Sequence, residues 1–384
     1  MHVVVAPDKF KGSLHASDVA AQVAAGLTDA VPDLDVVQVP VADGGDGTLD
    51  AALGAGYTRV PLRVSGPTGE PVDTAYARRD ENAVVELADA CGLGRLPGGR
   101  LAPLTASSTG LGQVVRAAVE AGCSRVVIGV GGSASTDGGA GMLVALGARV
   151  LDASGAELPP GGGALERVAR VDLGGMHPAL PHVEVVLASD VDNPLLGPHG
   201  AAAVYGPQKG ATAADVVRLD AALARWSAAM ASACGIRPGA HGHPAADLEG
   251  AGAAGGVGFA ALAALRARTR PGIDVLLEIT RLRALLPGAR LVVTGEGSLD
   301  AQTLHGKAPA GVAAAAAVAG VPVVAVAGRC LLTADELGAA GISAAYALSD
   351  LEPDVRRSMA EAGPLLRRLA GALARDWLLE RTTS

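Results

Sequence analysis

The sequence predicts an α/β protein in which both chain ends form one parallel, doubly wound sheet domain and the middle of the chain forms an inserted mixed α/β domain. Continuous apolar runs alternate with Ala-rich helical stretches near both ends, whereas strand-like pairs around turn residues interrupt this alternation in the middle. The length of 384 residues is also about twice that of a usual domain. We expect the sheet domain to comprise residues 1–65 plus 286–384, and the inserted domain residues 66–285.

The amino-terminal region contains the strand and helix alternation twice. The run "HVVVAPD" predicts a buried strand, and an Ala/Val-rich helical stretch follows from Ala16 to Ala30. The segment "LDVVQVPVADGG" then predicts a second strand that ends in glycines, and "DGTLDAALGAG" predicts a second helix closed by glycine.

The carboxyl-terminal hundred residues repeat this pattern, and the middle of the chain departs from it. The runs "LVVTGEG", "VPVVAVAG" and "SAAYALSD" predict three strands separated by helices, with a last helix rich in Leu and Arg. In the middle, "VDTAYARRDENAVVELAD" predicts an antiparallel hairpin around Asp80 to Asn82, and "ARVLDASGAELP" predicts a second hairpin.

Composition excludes several classes of protein. A net charge of −8 and an aromatic content of 2% provide neither the basic surface nor the stacking platforms that nucleic-acid binding requires. The four cysteines have no CxxC spacing, so neither a zinc site nor a disulfide framework is expected. The uncharged stretch 308–328 contains Pro322 and predicts a turn and a buried strand rather than a membrane span. Without a signal-peptide pattern at its start, the chain is predicted to be cytoplasmic, with no membrane partner, while a homo-oligomer stays open.

Lysine occurs only beside glycine-containing turns. Of the 31 basic residues only four are lysines, namely Lys9, Lys11, Lys209 and Lys307. Since arginine carries the other positive charges, these positions indicate sites that need a compact ammonium group, as a phosphate clamp does. Ordinary solvated loops explain any single lysine nearly as well.

Glycine-rich segments that follow a strand provide the second signal, because backbone N–H groups can converge there on a phosphate. Five segments have this form: "DKFKGS" at 8–13, "ADGGDGT" at 42–48, "GVGGSASTDGGAGM" at 129–142, "ASDVDNPLLG" at 188–197 and "TGEGSLDAQT" at 294–303. Ligands of open α/β sheets bind outside the carboxyl ends of the strands, where these loops are expected. An isolated glycine pair is explained as well by a tight turn.

Carboxylates within the same loops favour phosphoryl transfer over simple anion binding. They are Asp8, Asp43, Asp46, Asp137, Asp190, Asp192, Glu296 and Asp300. Glycine turns need no acids, whereas Mg²⁺ takes carboxylate oxygens and a further acid can accept the proton of an attacking hydroxyl. Asp46 and Asp300 serve equally well as helix caps in this interpretation.

Other nucleotide motifs are absent or weak. "LHGKAP" around Lys307 lacks the first Gly and the Ser/Thr of a Walker A motif. "GVGGSA" at 129–134, with Asp152 about twenty residues later, is the feature that a nicotinamide dehydrogenase would require. A sensor that binds anions without catalysis is a further alternative, although it would not need the acids. Of the scattered histidines, His305 is notable because it lies two residues before Lys307.

Six segments in one order resemble the motifs of the bacterial glycerate kinases of the first class. They are "APDKFKGSL", "ADGGDGT", "GVGGSASTDGGAGM", "SDVDNPLLG", "YGPQKGA" and "TGEGSLDAQTLHGK". The resemblance implies a two-domain α/β protein with a flavodoxin-like part that phosphorylates D-glycerate with ATP and Mg²⁺, generally giving 2-phosphoglycerate rather than 3-phosphoglycerate in this class. A kinase of another small hydroxy acid, such as tartronate or erythronate, is the alternative within this class. "DKF" stands where "DSF" is usual, which adds the cation Lys9 near the expected site.

The roles expected for individual residues follow from these loops. Asp190 ends the strand "EVVLASD" and is predicted to be the general base, with Lys11 as the second catalytic residue. Glu296 and Asp300 are predicted ligands of Mg²⁺. The residues predicted to bind substrate or phosphate are Lys9, Gly12, Ser13, Asp43, Gly44, Gly45, Gly131, Gly132, Ser133, Asp137, Asp192, Asn193, Lys209 and Lys307. We expect all these loops to converge on one triphosphate and its acceptor.

Overall fold

The structure is a computed structural model that describes residues 2–304 and 306–379. His305, noted above, falls outside the described residues. Within them the strands are β1 (His2–Pro7), β2 (Asp35–Gln38), β3 (Thr58–Ser65), β4 (Pro71–Arg79), β5 (Asn82–Glu86), β6 (Arg125–Gly129), β7 (Arg149–Leu151), β8 (Arg170–Asp172), β9 (Glu184–Ala188), β10 (Arg268–Arg270), β11 (Ala289–Leu299), β12 (Val323–Cys330) and β13 (Ala344–Ala347).

The α-helices alternate with these strands and vary widely in length. They are α1 (Ala16–Ala30), α2 (Thr48–Gly54), α3 (Leu87–Cys91), α4 (Thr109–Glu120), α5 (Ala140–Ala145), α6 (Ala201–Tyr205), α7 (Ala213–Ala233), α8 (Ala253–Ala264), α9 (Gly272–Ile279), α10 (Leu282–Leu285), α11 (Ala308–Val318), α12 (Ala334–Ala339), α13 (Val355–Ala360) and α14 (Ala362–Ala374). No helix within the described residues is long and apolar enough to cross a membrane.

The chain divides into two compact units. The first unit comprises Met1–Asp43, Asp50–Gly56 and Ile273–Ser384, and the second comprises Gly44–Leu49 and Tyr57–Gly272. The first unit therefore combines both chain ends, as the sequence predicts.

The first unit contains a five-stranded sheet in the order β2–β1–β11–β12–β13, with every pair parallel. Counting only the strands of this unit, the order is 2-1-3-4-5, which is the flavodoxin-like arrangement. The central strand β1 is covered on both faces. Val4 packs with Val292 and Val312 on one face, and Val3 and Val5 pack against α1 and α14 on the other. This double burial explains why the strand is a continuous apolar run, and it confirms the predicted parallel sheet.

The second unit contains a six-stranded mixed sheet in the order β10–β9–β6–β5–β4–β3. Strand β4 is antiparallel to both β3 and β5, and the remaining pairs are parallel. The predicted hairpin between β4 and β5 is confirmed, with Asp80 at φ 55° in its turn. The second predicted hairpin forms only in part: Leu151 and Glu157 make an isolated bridge, whereas the ladder partner of β7 is the more distant β8.

The division differs from the predicted boundaries on both sides of the inserted region. Strand β3 belongs to the second unit rather than to the first, because it pairs with β4 along its whole length. Residues 273–285 belong to the first unit, because Ile273, Leu277 and Leu282 pack in its core around Val4. The sequence of an apolar helix does not indicate which of two hydrophobic cores it packs in. The contacts in the structure do.

Candidate functional site

Several predicted residues of the first unit meet where β1 and β11 end. Asp8 directly follows β1, its N–H donates to the carbonyl of Gly295 at 2.7 Å, and one carboxylate oxygen accepts from the N–H of Lys9 at 2.6 Å. The chain beyond β2 continues beside β1, since the N–H of Val41 donates to the carbonyl of Pro7 at 3.0 Å. This extension carries Asp43 toward Asp8. We call Asp8, Lys9, Asp43, Glu296, Asp300 and Lys307 the strand-end cluster of the first unit.

Burial raises the pKa of Asp8 from 3.8 to about 7, against the opposing effect of Lys9 and with further increases from Asp43 and Glu296. The side chain is only 7% exposed. A carboxylate crowded by other carboxylates favours either a proton or a cation beside it. Sequence reasoning noted Asp8 among the acids of these loops but gave it no role.

Glu296 is held by two neighbours on the same loop. One oxygen accepts a hydrogen bond from the buried hydroxyl of Thr303 at 2.5 Å, and the other lies 3.5 Å from Nζ of Lys307. The same ammonium lies 4.0 Å from Asp300, so it sits between the two predicted metal ligands. Burial raises the pKa of Glu296, while Thr303 and Lys307 lower it. No three Asp, Glu, His or Cys side chains within residues 2–304 and 306–379 form a group that could hold a metal ion.

Asp300 forms a turn and does not cap a helix, although a helix cap was one interpretation of the sequence. Its Oδ1 accepts from the N–H of Gln302 at 3.0 Å and its own N–H donates to Thr303 at 3.0 Å, which makes a local turn. The following helix α11 begins later, at Ala308. The turn brings Asp300 and Thr303 back toward Glu296.

The predicted anion loop after β1 forms a tight turn. The N–H groups of Ser13 and Leu14 both donate to the carbonyl of Phe10, and Gly12 adopts φ 77°, a conformation that favours glycine. Lys11 is exposed at the tip of this turn, whereas the hydroxyl of Ser13 donates to the carbonyl of Met359 at 2.7 Å. Lys11 is therefore accessible to a ligand, while Ser13 anchors the turn.

In the second unit, three strand ends lie side by side in register. Glu86, Gly129 and Ala188 are paired across β5, β6 and β9. The segment 44–49 lies across this row: a Cβ on Gly129 would come within 2.9 Å of the Gly44 carbonyl, and a Cβ on Gly44 would come within 2.9 Å of the Ala188 carbonyl. Gly44 therefore serves close packing of the backbone, and side chains are excluded there.

Glu86 fixes the same segment and was missed by sequence reasoning. It is 6% exposed and accepts hydrogen bonds from the N–H of Gly47 at 3.2 Å and of Leu49 at 2.9 Å. Burial raises the pKa of Glu86 to about 7. The only signal in the sequence is an acid that ends an apolar strand, "NAVVE".

The loop after β6 presents a run of backbone donors. Among the described residues, the N–H groups of Gly131, Gly132 and Ser133 donate no hydrogen bond, while the Gly132 carbonyl accepts from Leu93 at 2.9 Å. Gly131 also packs on Gly45, since a Cβ at Gly131 would lie 2.6 Å from the Gly45 Cα. Successive free N–H groups form a concavity that binds anions. We call residues 131–133 the N–H run.

Asp137, predicted to bind substrate or phosphate, is instead the anchor of this loop. It is 1% exposed, and its carboxylate accepts hydrogen bonds from the N–H groups of Ser108, Gly139 and Gly141 and from the hydroxyls of Ser107 and Ser108. Four of these donors meet Oδ2, and one, the N–H of Gly139, meets Oδ1. The carboxylate therefore holds the loop in place from inside the protein.

Lys209, predicted to bind phosphate, also faces the loop rather than solvent. It is 2% exposed, and its ammonium donates to the Ser133 hydroxyl at 3.3 Å and to the Ser135 carbonyl. Burial lowers the pKa of Lys209 to about 8, against the opposing effects of Asp137 and Cys91. Nearby, the buried hydroxyls of Ser135 and Thr136 have no hydrogen-bond partner among the described residues.

The segment after β9 contains one anchored and two exposed polar residues. Asp190 is exposed and accepts from the N–H of Gly272 at 3.0 Å, and Asp192 is also exposed. Asn193 is committed to the loop, since its amide donates to the His199 carbonyl at 2.8 Å and its oxygen accepts from Tyr205 at 2.6 Å. Asn193 therefore uses one donor and one acceptor within its own loop, and its contact with substrate stays a prediction.

The geometry disfavours the dehydrogenase alternative. The fingerprint "GVGGSA" requires a helix that begins at its glycines, whereas α5 begins only at Ala140. Asp152 lies in an exposed turn, where its carboxylate accepts from the N–H groups of Ser154 and Ala156. Neither feature matches a dinucleotide site.

The predicted residues thus form two groups, one in each unit. The first unit holds Lys9, Lys11, Gly12, Ser13, Asp43, Glu296, Asp300 and Lys307, and the second holds Gly44, Gly45, Gly131, Gly132, Ser133, Asp137, Asp190, Asp192, Asn193 and Lys209. The first group combines three lysines with acids near the ends of β1 and β11, and the second combines acids and glycines after β6 and β9 with a single lysine, Lys209, which follows α6.

Comparisons with known proteins agree with the motifs and the fold. The model of the glycerate kinase family matches residues 3–378. The chain is 41% identical to glycerate kinase of Bacillus subtilis over 100% of this chain and 99% of the relative, and 41% identical to glycerate 2-kinase of Escherichia coli over 85% of each. A crystal structure described as that of a glycerate kinase 2 from Salmonella typhimurium is 39% identical, with a TM-score of 0.85 over 100% of this chain and 99% of that one. The chain therefore belongs to the glycerate kinase family and is a phosphoryl-transferring enzyme.

Proposed function

We propose that the protein transfers the γ-phosphoryl group of ATP, with Mg²⁺, to the hydroxyl on carbon 2 of D-glycerate, giving 2-phosphoglycerate and ADP. The observation that carries this proposal is the N–H run, because three backbone donors that have no partner within residues 2–304 and 306–379 suit the oxygens of a phosphate or carboxylate. The name of the Escherichia coli relative, glycerate 2-kinase, supports carbon 2 as the acceptor position.

The reaction needs a proton acceptor close to the acceptor hydroxyl. A bond forms between that hydroxyl oxygen and the γ-phosphorus, the bond from this phosphorus to the β,γ-bridging oxygen breaks, and the hydroxyl proton must leave. In our proposal Asp190 accepts the proton, since its carboxylate is exposed and oriented by the N–H of Gly272. Asp192, also exposed two residues later, contacts the acceptor.

The first unit contributes three lysines to the proposed phosphate contacts. Lys11 is exposed at the tip of its turn, and Lys9 and Lys307 belong to the strand-end cluster. In phosphoryl transfer such cations stabilise charge on the transferred group while contributing no covalent chemistry. We propose that Lys11 contacts the transferred phosphoryl group and that the other two lysines contact the nucleotide.

The carboxylates of the same cluster fit Mg²⁺ in the form in which kinases use it. Mg²⁺ is usually held by one or two carboxylates plus nucleotide phosphates and waters, so a cage of three protein ligands is not required. Glu296 and Asp300 supply two carboxylates that flank a single cation, Lys307, in this structure. Bound there, Mg²⁺ would neutralise charge on the β- and γ-phosphate oxygens.

The test is ³¹P NMR of the products after incubation with ATP, D-glycerate and MgCl₂. We expect loss of the ATP γ-signal and a new phosphomonoester signal that coincides with added 2-phosphoglycerate. Parallel samples contain EDTA in place of free Mg²⁺, or tartronate or erythronate in place of glycerate. A signal that coincides with 3-phosphoglycerate would refute the proposed position, and faster turnover of another acid would refute glycerate as the preferred acceptor.

A further inference from the structure

We propose that Lys209 is a positioning residue that holds the loop 133–137 from its buried side, so that the N–H run stays turned toward an oxyanion, and that its charge attracts that anion. This rests on the proposed function, because it assigns the N–H run to a phosphate of the nucleotide or to the carboxylate of the acceptor. Lys209 itself contacts neither.

The ammonium group of Lys209 lies inside the protein. Lysines usually extend their charged end into water, yet Lys209 is 2% exposed and donates to Ser133 and to the Ser135 carbonyl. A buried cation is costly unless its donors are satisfied. Two of the three N–H donors of the ammonium are thus satisfied by oxygens of the loop, which offsets part of the cost of burial.

The loop has carbonyl groups that are hydrogen-bonded within the described part of the chain and N–H groups that are not. The carbonyls of Gly132 and Ser135 are taken by Leu93 and by Lys209, whereas the N–H groups of residues 131–133 have no partner among the described residues. The C=O of one residue and the N–H of the next belong to one peptide and point in opposite directions, so the bond from Leu93 to the Gly132 carbonyl turns the N–H of Ser133 to the other side. Lys209 holds the adjoining part of the loop through the Ser133 hydroxyl and the Ser135 carbonyl. Asp137 fixes the end of the same loop because its carboxylate accepts five hydrogen bonds.

The charge of Lys209 depends on its burial and on the ionisable groups around it. The ionisable groups that act on Lys209 are Asp137 and Cys91. Burial raises the pKa of Cys91 to about 12, so this thiol stays neutral. Burial lowers the pKa of Lys209 to about 8, so the ammonium is mostly charged at neutral pH and loses its proton as the pH rises through about 8. Anion affinity should decline over the same interval.

The experiment compares the wild type with Lys209→Met and Lys209→Arg. KM for ATP, KM for D-glycerate and kcat are measured from pH 7 to 9.5, and binding of inorganic phosphate is measured by calorimetry over the same range. Melting temperatures establish that each variant is folded at the assay temperature. Arg218→Met is the control, because it removes an exposed cation that pairs with Glu166 in the same unit.

We expect the wild type to lose anion affinity above pH 8, by up to about tenfold for each pH unit. Lys209→Met should raise one KM by roughly tenfold or more at pH 7, change kcat less, and abolish the pH dependence. Lys209→Arg should retain affinity beyond pH 8 because arginine keeps its charge. A change in KM for ATP assigns the N–H run to a phosphate, and a change in KM for glycerate assigns it to a carboxylate.

Three outcomes would overturn the inference. One is a folded Lys209→Met protein with wild-type KM values and pH profile, and another is a lowered melting temperature as its sole effect. The third, which needs no variant, is a wild type whose phosphate affinity is constant from pH 7.5 to 9.5. Failure of the proposed function gives a different result. A protein that does not phosphorylate glycerate can still be tested for phosphate binding by calorimetry, and the dependence of that binding on Lys209 and on pH tests the inference separately.

Discussion

Replacing Glu86 by Gln should change how the stability of the protein depends on pH. Burial raises the pKa of Glu86 from 4.5 in the unfolded chain to about 7 in the folded protein. Between these values the folded state keeps a proton that the unfolded state has released, so the free energy of unfolding falls as the pH rises through this interval. At about 1.4 kcal/mol for each pH unit, the loss amounts to about 3 kcal/mol from pH 4.5 to above 7.

Glu86→Gln cannot release this proton, so the wild-type advantage over the variant should shrink by about 3 kcal/mol between pH 4.5 and 7.5. Melting temperatures of both proteins across this range, converted with calorimetric enthalpies, measure the difference. Glu81→Gln is the matched control, since Glu81 is exposed beside β5 and its side chain accepts from Ser124. If the wild type and Glu86→Gln lose stability in parallel from pH 4.5 to 7.5, the burial argument for Glu86 is wrong.

Three further substitutions test individual residues. Asp190→Asn should lower kcat by roughly 10²-fold or more with little change in melting temperature, because it removes the proposed proton acceptor; unchanged turnover would exclude Asp190 from that role. Asp137→Asn should destabilise the protein by about 3 kcal/mol in urea unfolding, because the NH₂ group of the amide would face an N–H group that now donates to the carboxylate. Gly131→Ala should lower both activity and melting temperature, since its Cβ would lie 2.6 Å from the Gly45 Cα; wild-type behaviour would show that the segment yields easily.

The parallel sheet of the first unit was predictable because its strands are buried on both faces. Val3, Val4 and Val5 are all fully buried, so the strand appears in the sequence as an uninterrupted apolar run. The boundaries were less predictable. Residues 273–285 could pack on either core, and β3 is identified as part of the second sheet by its pairing with β4.

The position of the candidate site was predictable, whereas the direction of its side chains was not. Glycine and acid after a strand place a loop at the carboxyl edge of the sheet, and both groups of residues lie at such edges. Whether an acid then faces solvent depends on distant partners. Asp137 receives hydrogen bonds from Ser107 and Ser108, and Glu86 binds Gly47 and Leu49, none of which any local pattern connects to it.

The confinement of lysine to four positions in glycine-containing segments has a physical explanation, at two of them, in these contacts. Arginine carries five donors in a rigid plane, and a buried guanidinium would leave several of them unsatisfied. The ammonium of Lys209 has three donors, of which two bind the Ser133 hydroxyl and the Ser135 carbonyl, and that of Lys307 lies as a point charge between Glu296 and Asp300. At Lys209 and Lys307 a loop thus surrounds a single charge. In our proposal such a charge acts on a ligand through the loop where it is buried, as at Lys209, whereas the exposed Lys11 contacts the ligand directly.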